Sequence, residues 1–317
     1  MSALAPIAVG ISSCLLGEKV RYDGGHKHDR YLTDTLGRFF RFVPVCPEVE
    51  CGLPVPREAM HLEGDPAAPR LVAIRSRRDL TQQMETFCQR KVAELAGENL
   101  CGFIFKKGSP SSGLFRVKVY NAGMPARSGQ GLFAAAVTAR FPLLPVEEEG
   151  RLADPVLREN FLERVFAMHR WQEFRRSPRD LGELVAFHTG HKLLMMAHSP
   201  EIYRQMGQLV ATGKGMEREE LFDRYEELLM KGMSLHATVA KNVNVLQHIM
   251  GYFKKELSPW EKGELLEVIR QYHERLVPLV VPLVLLRHYV ARYGQTYLKG
   301  QLYLEPHPTE LMLRTYL

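Results

Sequence analysis

Three short stretches decide how this chain folds: SSCLLG at residues 12–17, PVCPEVECG at residues 44–52 and KGSPSSG at residues 107–113. Each follows an apolar run and contains Gly or Pro, which is typical of a buried strand that ends in a functional loop. The first two stretches hold three of the five cysteines in the chain. Cysteines at such loops indicate metal binding or reactivity rather than a structural role.

The first half of the chain alternates between predicted strands and predicted helices. The apolar patterns predict strands at residues 7–12, 39–45, 71–74, 103–105 and 115–120, and helices at residues 29–38, 80–96 and 131–140. Alternation of this kind implies a largely parallel sheet covered by helices. The fold class predicted for this half is therefore α/β and Rossmann-like.

Residues 142–150 change the character of the chain. Two prolines, an acidic run and a glycine predict a domain boundary here, which gives domains at 1–150 and 151–317. The patterns after it predict helices at residues 154–174, 179–197, 200–212, 217–237, 239–256 and 259–276. Ser258 and Glu261 flank the start of the last of these as a capping box. The second domain is therefore predicted to be all-α.

The composition is that of an ordinary globular protein, with 45% hydrophobic and 25% charged residues. The chain begins without the basic and apolar segments of a signal peptide, and its longest apolar stretch, 276–286, is too short to span a bilayer. We therefore expect a cytoplasmic protein with reduced thiols and no disulfide framework.

The formal net charge is +6, and several arginines are clustered along the chain. The largest cluster, predicted to contact RNA phosphates, consists of Arg170, Arg175, Arg176 and Arg179. A second cluster contains Arg75, Arg77 and Arg78. Basic runs are also common on surfaces that only contact solvent, so the charge fits an RNA partner without requiring one.

The predicted topology brings three cysteines to one edge of the sheet. Loops that follow parallel strands converge on one crevice, so Cys14, Cys46 and Cys51 should lie near one another. Cys101 begins its strand and Cys88 lies within a helix, so both are expected to be small buried side chains. Three thiolates fall short of a closed zinc site but can hold an iron–sulfur cluster with one open iron. The alternative is a set of buried thiols near a loop.

The same stretches resemble a known family. SSCLLG followed by VRYDGG at residues 20–25 resembles the opening signature of the TudS thiouracil desulfidases. Residues 43–48 and 52–57 are similar to their second signature, and the Ser-Pro-Ser turn at 109–111 is similar to the third. The helical half resembles the YbgA-like domain. The combination resembles the RudS desulfidases, which remove sulfur from 4-thiouridine in tRNA.

The resemblance implies a 4Fe-4S cluster held by three cysteines and a non-redox replacement of C=S by C=O. Many relatives have cysteine at the position of Ser112 and glycine at that of Cys51 in this chain. We therefore expect Cys51 to take the third ligand role, beside Cys14 and Cys46.

The resemblance also suggests catalytic roles for three polar residues. Glu48 is expected to act as the general base, although a carboxylate beside Pro47 can equally cap a turn. Ser109 and Ser112 are expected to hydrogen-bond the substrate or the attacking water, although serines in such loops are often turn formers.

The function predicted from these residues is desulfurisation of thiolated tRNA, which would yield uridine and hydrosulfide. Two alternatives remain open. The chain can instead act on free thiouracil or other small thio-compounds, or it can be a non-enzymatic iron–sulfur sensor whose helical domain binds a partner.

Overall fold

The computed structural model describes residues 7–121 and 124–317, and the chain divides into two compact units, Met1–Asp154 and Pro155–Leu317. The domains predicted from the sequence, 1–150 and 151–317, remain predictions. The division of the chain into two compact units does not show that either segment functions alone. No helix in the described residues is long and apolar enough to cross a membrane.

The first unit contains strands and helices in alternation. In chain order the strands are β1 (Ile7–Ser12), β2 (Phe40–Val45), β3 (Met60–Glu63), β4 (Arg70–Ala73), β5 (Gly102–Phe105), β6 (Val117–Asn121), β7 (Met124–Gly129) and β8 (Val146–Glu148). The helices are α1 (Pro47–Glu50), α2 (Thr81–Leu95) and α3 (Leu132–Arg140). Four strands form a parallel sheet in the order β2-β1-β5-β8. The predicted α/β fold with a parallel sheet is confirmed.

The remaining four strands form a second sheet, in the order β4-β3-β6-β7. The pairs β3–β4 and β6–β7 are antiparallel, whereas β3 and β6 run parallel. The sequence predicted β4 and β6 but neither β3 nor β7. In β7 every residue except Gly129 is exposed, so the strand has no apolar alternation by which it could be recognised.

Two segments of the first unit differ in detail from their sequence patterns. Residues 142–150, predicted as a domain boundary, contain β8, and Glu148 Oε1 accepts the N–H groups of Leu114 (2.9 Å) and Phe115 (3.1 Å). The acidic run is therefore part of the sheet and its loops. The predicted helix at 29–38 consists of two short irregular turns, Tyr31–Thr35 and Leu36–Arg38.

The core of the first unit packs aromatic rings against the centre of the parallel sheet. Phe103 and Phe105 stack with their ring centroids 4.2 Å apart, and the ring of Phe133 on α3 lies 5.8 Å from that of Phe103. A Cβ at Gly10 in β1 would lie 2.2 Å from the Phe103 ring, so this close approach requires glycine. Cys88 and Cys101 are buried, as expected.

The second unit is helical, as predicted. Its helices are α4 (Pro155–Arg175), α5 (Leu181–His198), α6 (Pro200–Thr212), α7 (Arg218–Ser234), α8 (Val239–Met250), α9 (Pro259–His273), α10 (Val280–Arg292) and α11 (Thr296–Lys299). The capping box predicted at Ser258 and Glu261 is present. Helix α10 was not predicted, because Pro282 interrupts the apolar run. Pro282 lies in the first turn, where its missing N–H breaks no intrahelical bond.

A buried ionic cluster ties the end of the chain to α4. Arg314 Nη2 donates to Glu163 Oε1 (2.6 Å), and Arg314 Nη1 donates to the Tyr303 carbonyl (2.6 Å). On the other side, His198 Nε2 lies 3.0 Å from Glu163 Oε2. Arg314 and Glu163 are almost completely buried, and Arg314 Nε also lies 3.6 Å from Glu159 Oε1. The arginine and these carboxylates therefore compensate one another's charge.

Candidate active site

A cavity of about 400 Å³ opens where β1, β2 and β5 end. The loop after β1 contributes Cys14, the loop after β2 contributes Cys46 and Glu48, and the loop after β5 contributes Ser109 and Ser112. The carboxyl ends of parallel strands meet at one edge of a sheet, where α/β proteins bind ligands. The three stretches that decide the fold thus line one cavity.

Cys14 and Cys46 are both buried at the cavity wall. Burial, followed by the nearby Glu48 carboxylate, raises the pKa of Cys14 to about 11 and that of Cys46 to about 12. Cys46 Sγ donates to Glu48 Oε2 across 3.5 Å. Both thiols therefore keep their protons at neutral pH, and a metal that binds them as thiolates must displace those protons.

Glu48 links the loops that follow β2 and β5. Its Oε1 atom accepts hydrogen bonds from Ser109 Oγ (3.3 Å) and from Ser111 Oγ. Arg57 Nη2 lies 3.8 Å from Glu48 Oε2, and Arg57 Nη1 donates to the Val20 carbonyl (2.9 Å). Both side chains of this ion pair are largely buried. The Glu48 side chain is thus held in one position on the cavity wall by Ser109, Ser111 and Arg57.

The serine loop has both a structural and a site role. Ser109 Oγ accepts the N–H groups of Ser111 (3.3 Å) and Ser112 (3.1 Å), so it shapes the turn as well as contacting Glu48. A Cβ at Gly113 would lie 2.7 Å from the Ser109 carbonyl oxygen, which explains the glycine that closes this turn. Ser112 is 3% exposed, and its hydroxyl makes no hydrogen bond within residues 7–121 and 124–317.

Cys51, expected as the third ligand, does not line this cavity. It follows α1, with its Sγ 3.2 Å from the Glu48 carbonyl oxygen, and its own carbonyl accepts Gln83 Nε2 (2.8 Å). It borders a separate cavity against α2, together with Phe87 and Arg90. Within the described residues, no group of three His, Cys, Asp or Glu side chains is placed to hold a metal ion. The structure therefore brings together Cys14, Cys46, Glu48, Ser109 and Ser112, but not Cys51.

Sequence reasoning missed three residues of the site. Ser111 is fully buried and bonded to Glu48, and the Ser-Pro-Ser turn in which it lies was its only signal. Arg57 lies in the second signature, but nothing in the sequence indicates that it pairs with Glu48, nine positions earlier. Lys106 donates its N–H to Ser12 Oγ (3.0 Å), and its ammonium pairs with Glu149.

The arginines predicted to contact RNA do not form a free positive surface. Arg170 is half-buried and donates to the Pro306 carbonyl (2.8 Å). The other three are paired with carboxylates: Arg175 with Asp223 and Glu219, Arg176 with Glu173, and Arg179 with Glu183. The sequence shows which arginines are close in the chain but not which acidic residues the helices bring to them.

Comparison with known proteins identifies the class of the site. The family model described as 2-thiouracil desulfurase matches residues 9–149, and the model described as "Protein of unknown function (DUF1722)" matches residues 192–308. The cavity therefore lies in a desulfidase domain, and the chain is an enzyme of the desulfidase class.

Two relatives are similar over about half of the chain each. The uncharacterised protein YbgA of Escherichia coli (strain K12) is 31% identical over 157 residues, which cover 49% of this chain and 93% of YbgA. The structure of the 4Fe-4S-dependent thiouracil desulfidase TudS is 30% identical, with 47% of this chain and 94% of TudS covered and a TM-score of 0.39. The chain belongs to the 2-thiouracil desulfurase family through residues 9–149 and to the YbgA-like DUF1722 family through residues 192–308.

Proposed function

We propose that this chain removes the sulfur of 4-thiouridine in tRNA, which leaves uridine in the tRNA and releases hydrosulfide. The observation that carries the proposal is the cavity at the ends of β1, β2 and β5, where Cys14, Cys46 and Glu48 meet. Its volume of about 400 Å³ lies in the range of small-molecule sites, which suits one thiolated pyrimidine nucleotide. The 2-thiouracil desulfurase family match supports the same chemistry.

The donor atoms on the cavity bear on the cofactor. TudS is described as 4Fe-4S-dependent. Of the three cysteines expected as ligands, Cys51 borders a different cavity in this structure. We therefore propose that Cys14, Cys46 and the hydroxyl of Ser112, which line the active-site cavity, would hold an iron–sulfur centre through two thiolates and one oxygen. When bound, a centre with an open iron would supply a Lewis acid with affinity for sulfur.

The protein side chains supply the proton transfer. A water molecule adds to the thiocarbonyl carbon, and Glu48 takes one of its protons at Oε2. Glu48 then passes this proton to the sulfur, and the C–S bond breaks with loss of hydrosulfide. The added hydroxyl loses its remaining proton to solvent as it becomes the carbonyl, so no electrons are gained or lost. Ser109 and Ser111 donate to Oε1 and fix the orientation of the carboxylate, and Arg57 Nη2 lies 3.8 Å from Oε2.

Anaerobic incubation with thiolated tRNA, followed by nucleoside analysis, tests the proposal. Loss of 4-thiouridine with a matching gain of uridine is expected, and Glu48→Gln should lower the rate by about 10²-fold or more. Equal iron content in the variant and the wild-type protein is the control for an intact site. Turnover of free thiouracil without any on tRNA would favour the small-molecule alternative. Turnover of neither substrate would leave the sensor alternative.

A further inference from the structure

A second cavity of about 510 Å³ adjoins the proposed active site. The two cavities share Met60, Lys107, Gly108 and Pro110, so they are continuous at the surface loop that follows β5. The walls of the second cavity come from β3, β6 and β7, which belong to the second sheet; of these three strands the sequence predicted only β6. We call this second cavity the basic groove.

Four cations line the basic groove: Lys107, Arg116, Lys118 and Arg127. All four are exposed, and none of them makes an ion pair within residues 7–121 and 124–317. By contrast, Arg175, Arg176 and Arg179 of the second unit are each paired with a carboxylate. The carboxylates beside the groove already have partners: Glu63 is bonded to His61 and to both terminal nitrogens of Arg77, and Glu149 to the Lys107 N–H and the Lys106 ammonium. The groove therefore has a positive charge that the protein itself does not neutralise.

Aromatic side chains also line the basic groove. Tyr120 stacks on His61 with ring centroids 4.7 Å apart and an interplanar angle of 28°. Phe115, beside Arg116, is 42% exposed, and the guanidinium of Arg151 lies over its ring, 4.8 Å from the centroid. Unpaired cations with interspersed aromatic faces are the combination that binds unpaired nucleotides, since the cations contact phosphates and the bases stack on the rings.

We propose that the basic groove binds the RNA nucleotides next to the base that enters the active-site cavity. This inference rests on the proposed desulfidase function. Lys107 and Gly108 border both cavities, so a strand lying in the groove reaches the active site without leaving the surface. Phosphate contacts of this kind position a substrate but do not read its sequence. The groove thus favours a thiolated base within an RNA chain over the free base.

A charge-removal variant tests the groove apart from the chemistry. The variant carries Arg116→Gln, Lys118→Gln and Arg127→Gln, none of which lines the active-site cavity. The matched control carries Arg30→Gln, Arg38→Gln and Arg140→Gln, which remove the same charge from exposed positions of the first unit outside both cavities. Binding of fluorescent tRNA to both is measured from 50 to 300 mM salt.

We expect the groove variant to bind tRNA about 10-fold or more weakly at low salt. The slope of log K against log salt should fall in magnitude by about 2, since each phosphate contact contributes about 0.7–0.9. Equal affinity and slope in the groove variant and the control would overturn the proposal that the basic groove binds RNA. Competition by a poly-glutamate peptide at the same concentration as by RNA would also overturn it, in favour of an acidic protein partner.

Turnover of free thiouracil separates this inference from the proposed function. The groove variant should retain the wild-type rate on the free base, and its loss of activity should be confined to tRNA. If neither protein acts on any thiolated substrate while the variant still loses RNA binding, the groove stands as an RNA site and the desulfidase proposal on tRNA falls.

Discussion

Cys14, Cys46 and Ser112 surround one cavity, whereas Cys51 lies at the far end of a one-turn helix. The cysteines at 46 and 51 are neighbours in the sequence, and α1 between them separates their surroundings. The Sγ atom of one contacts the Glu48 carboxylate and that of the other the Glu48 carbonyl. Sequence position alone indicates that both follow β2. Only the local backbone decides which of them faces the ligand.

Substitution of these four positions should show which of them bind iron. After anaerobic reconstitution, Cys14→Ser and Cys46→Ser should lose most iron and the visible absorption, because each removes a thiolate. Cys51→Ser should retain the wild-type iron and sulfide content. Ser112→Cys should bind more iron, or hold it longer against a chelator, because thiolate is a softer ligand than a serine oxygen.

The variants at Cys51 and Ser112 are matched controls for each other. Loss of iron in Cys51→Ser, together with unchanged iron in Ser112→Ala, would restore Cys51 as the third ligand. It would also require the loop after α1 to rearrange when the centre binds, because Cys51 borders the α2 cavity in this structure.

At the scale of secondary-structure elements, the Arg314–Glu163 pair holds the last residues of the chain against α4. Arg314→Ala should lower the free energy of unfolding of the second unit by about 3–5 kcal/mol, because it leaves a buried carboxylate without its cation. Arg287→Ala breaks the exposed pair with Glu305 and should cost no more than about 1 kcal/mol. Urea denaturation followed by circular dichroism compares the two. Equal effects would mean that the buried pair contributes no more than a surface one.

The elements that the sequence predicted are those with their own apolar pattern. All six residues of β1 are buried, and α6 has its apolar residues on one face, so both have the predicted bounds. The acidic β8 is different. Glu148 is buried in it because its carboxylate receives N–H groups from the loop before β6, a long-range contact without a local signal. Strand β7 has no buried face for most of its length, so it depends on pairing with β6 alone.

The site could be predicted to the same extent. Parallel strands place their carboxyl ends together, so the convergence of the three loops followed from the order of the strands. The hydrogen bond from Ser111 to Glu48 and the separation of Cys51 did not follow, since both depend on side-chain directions within short turns. The basic groove was also hidden, because two of the strands that form its walls, β3 and β7, were not predicted from the sequence.

At the scale of the whole molecule, the net charge of +6 says less about RNA binding than the pairing of each cation. The arginines of the second unit that stand out in the sequence are satisfied by carboxylates of the same unit. The lysines and arginines of the basic groove are scattered in the sequence, and none of them pairs with a carboxylate in the described residues. A polyanion gains most from cations whose charge the protein has not already compensated.

The double substitution Arg176→Gln and Arg179→Gln should therefore leave tRNA affinity within about twofold of wild type, with the same salt slope. Each arginine lies beside its own glutamate, so its field is largely cancelled beyond one Debye length, about 8 Å at physiological salt. The released Glu173 and Glu183 add only weak repulsion at the surface.

The measurement is the salt titration used for the groove variant, with helix content by circular dichroism as the control for folding. A slope reduced by about 1.5 or more would show that RNA displaces the glutamates and contacts these arginines directly. The second unit would then bind RNA through arginines that pair with glutamates when no RNA is bound.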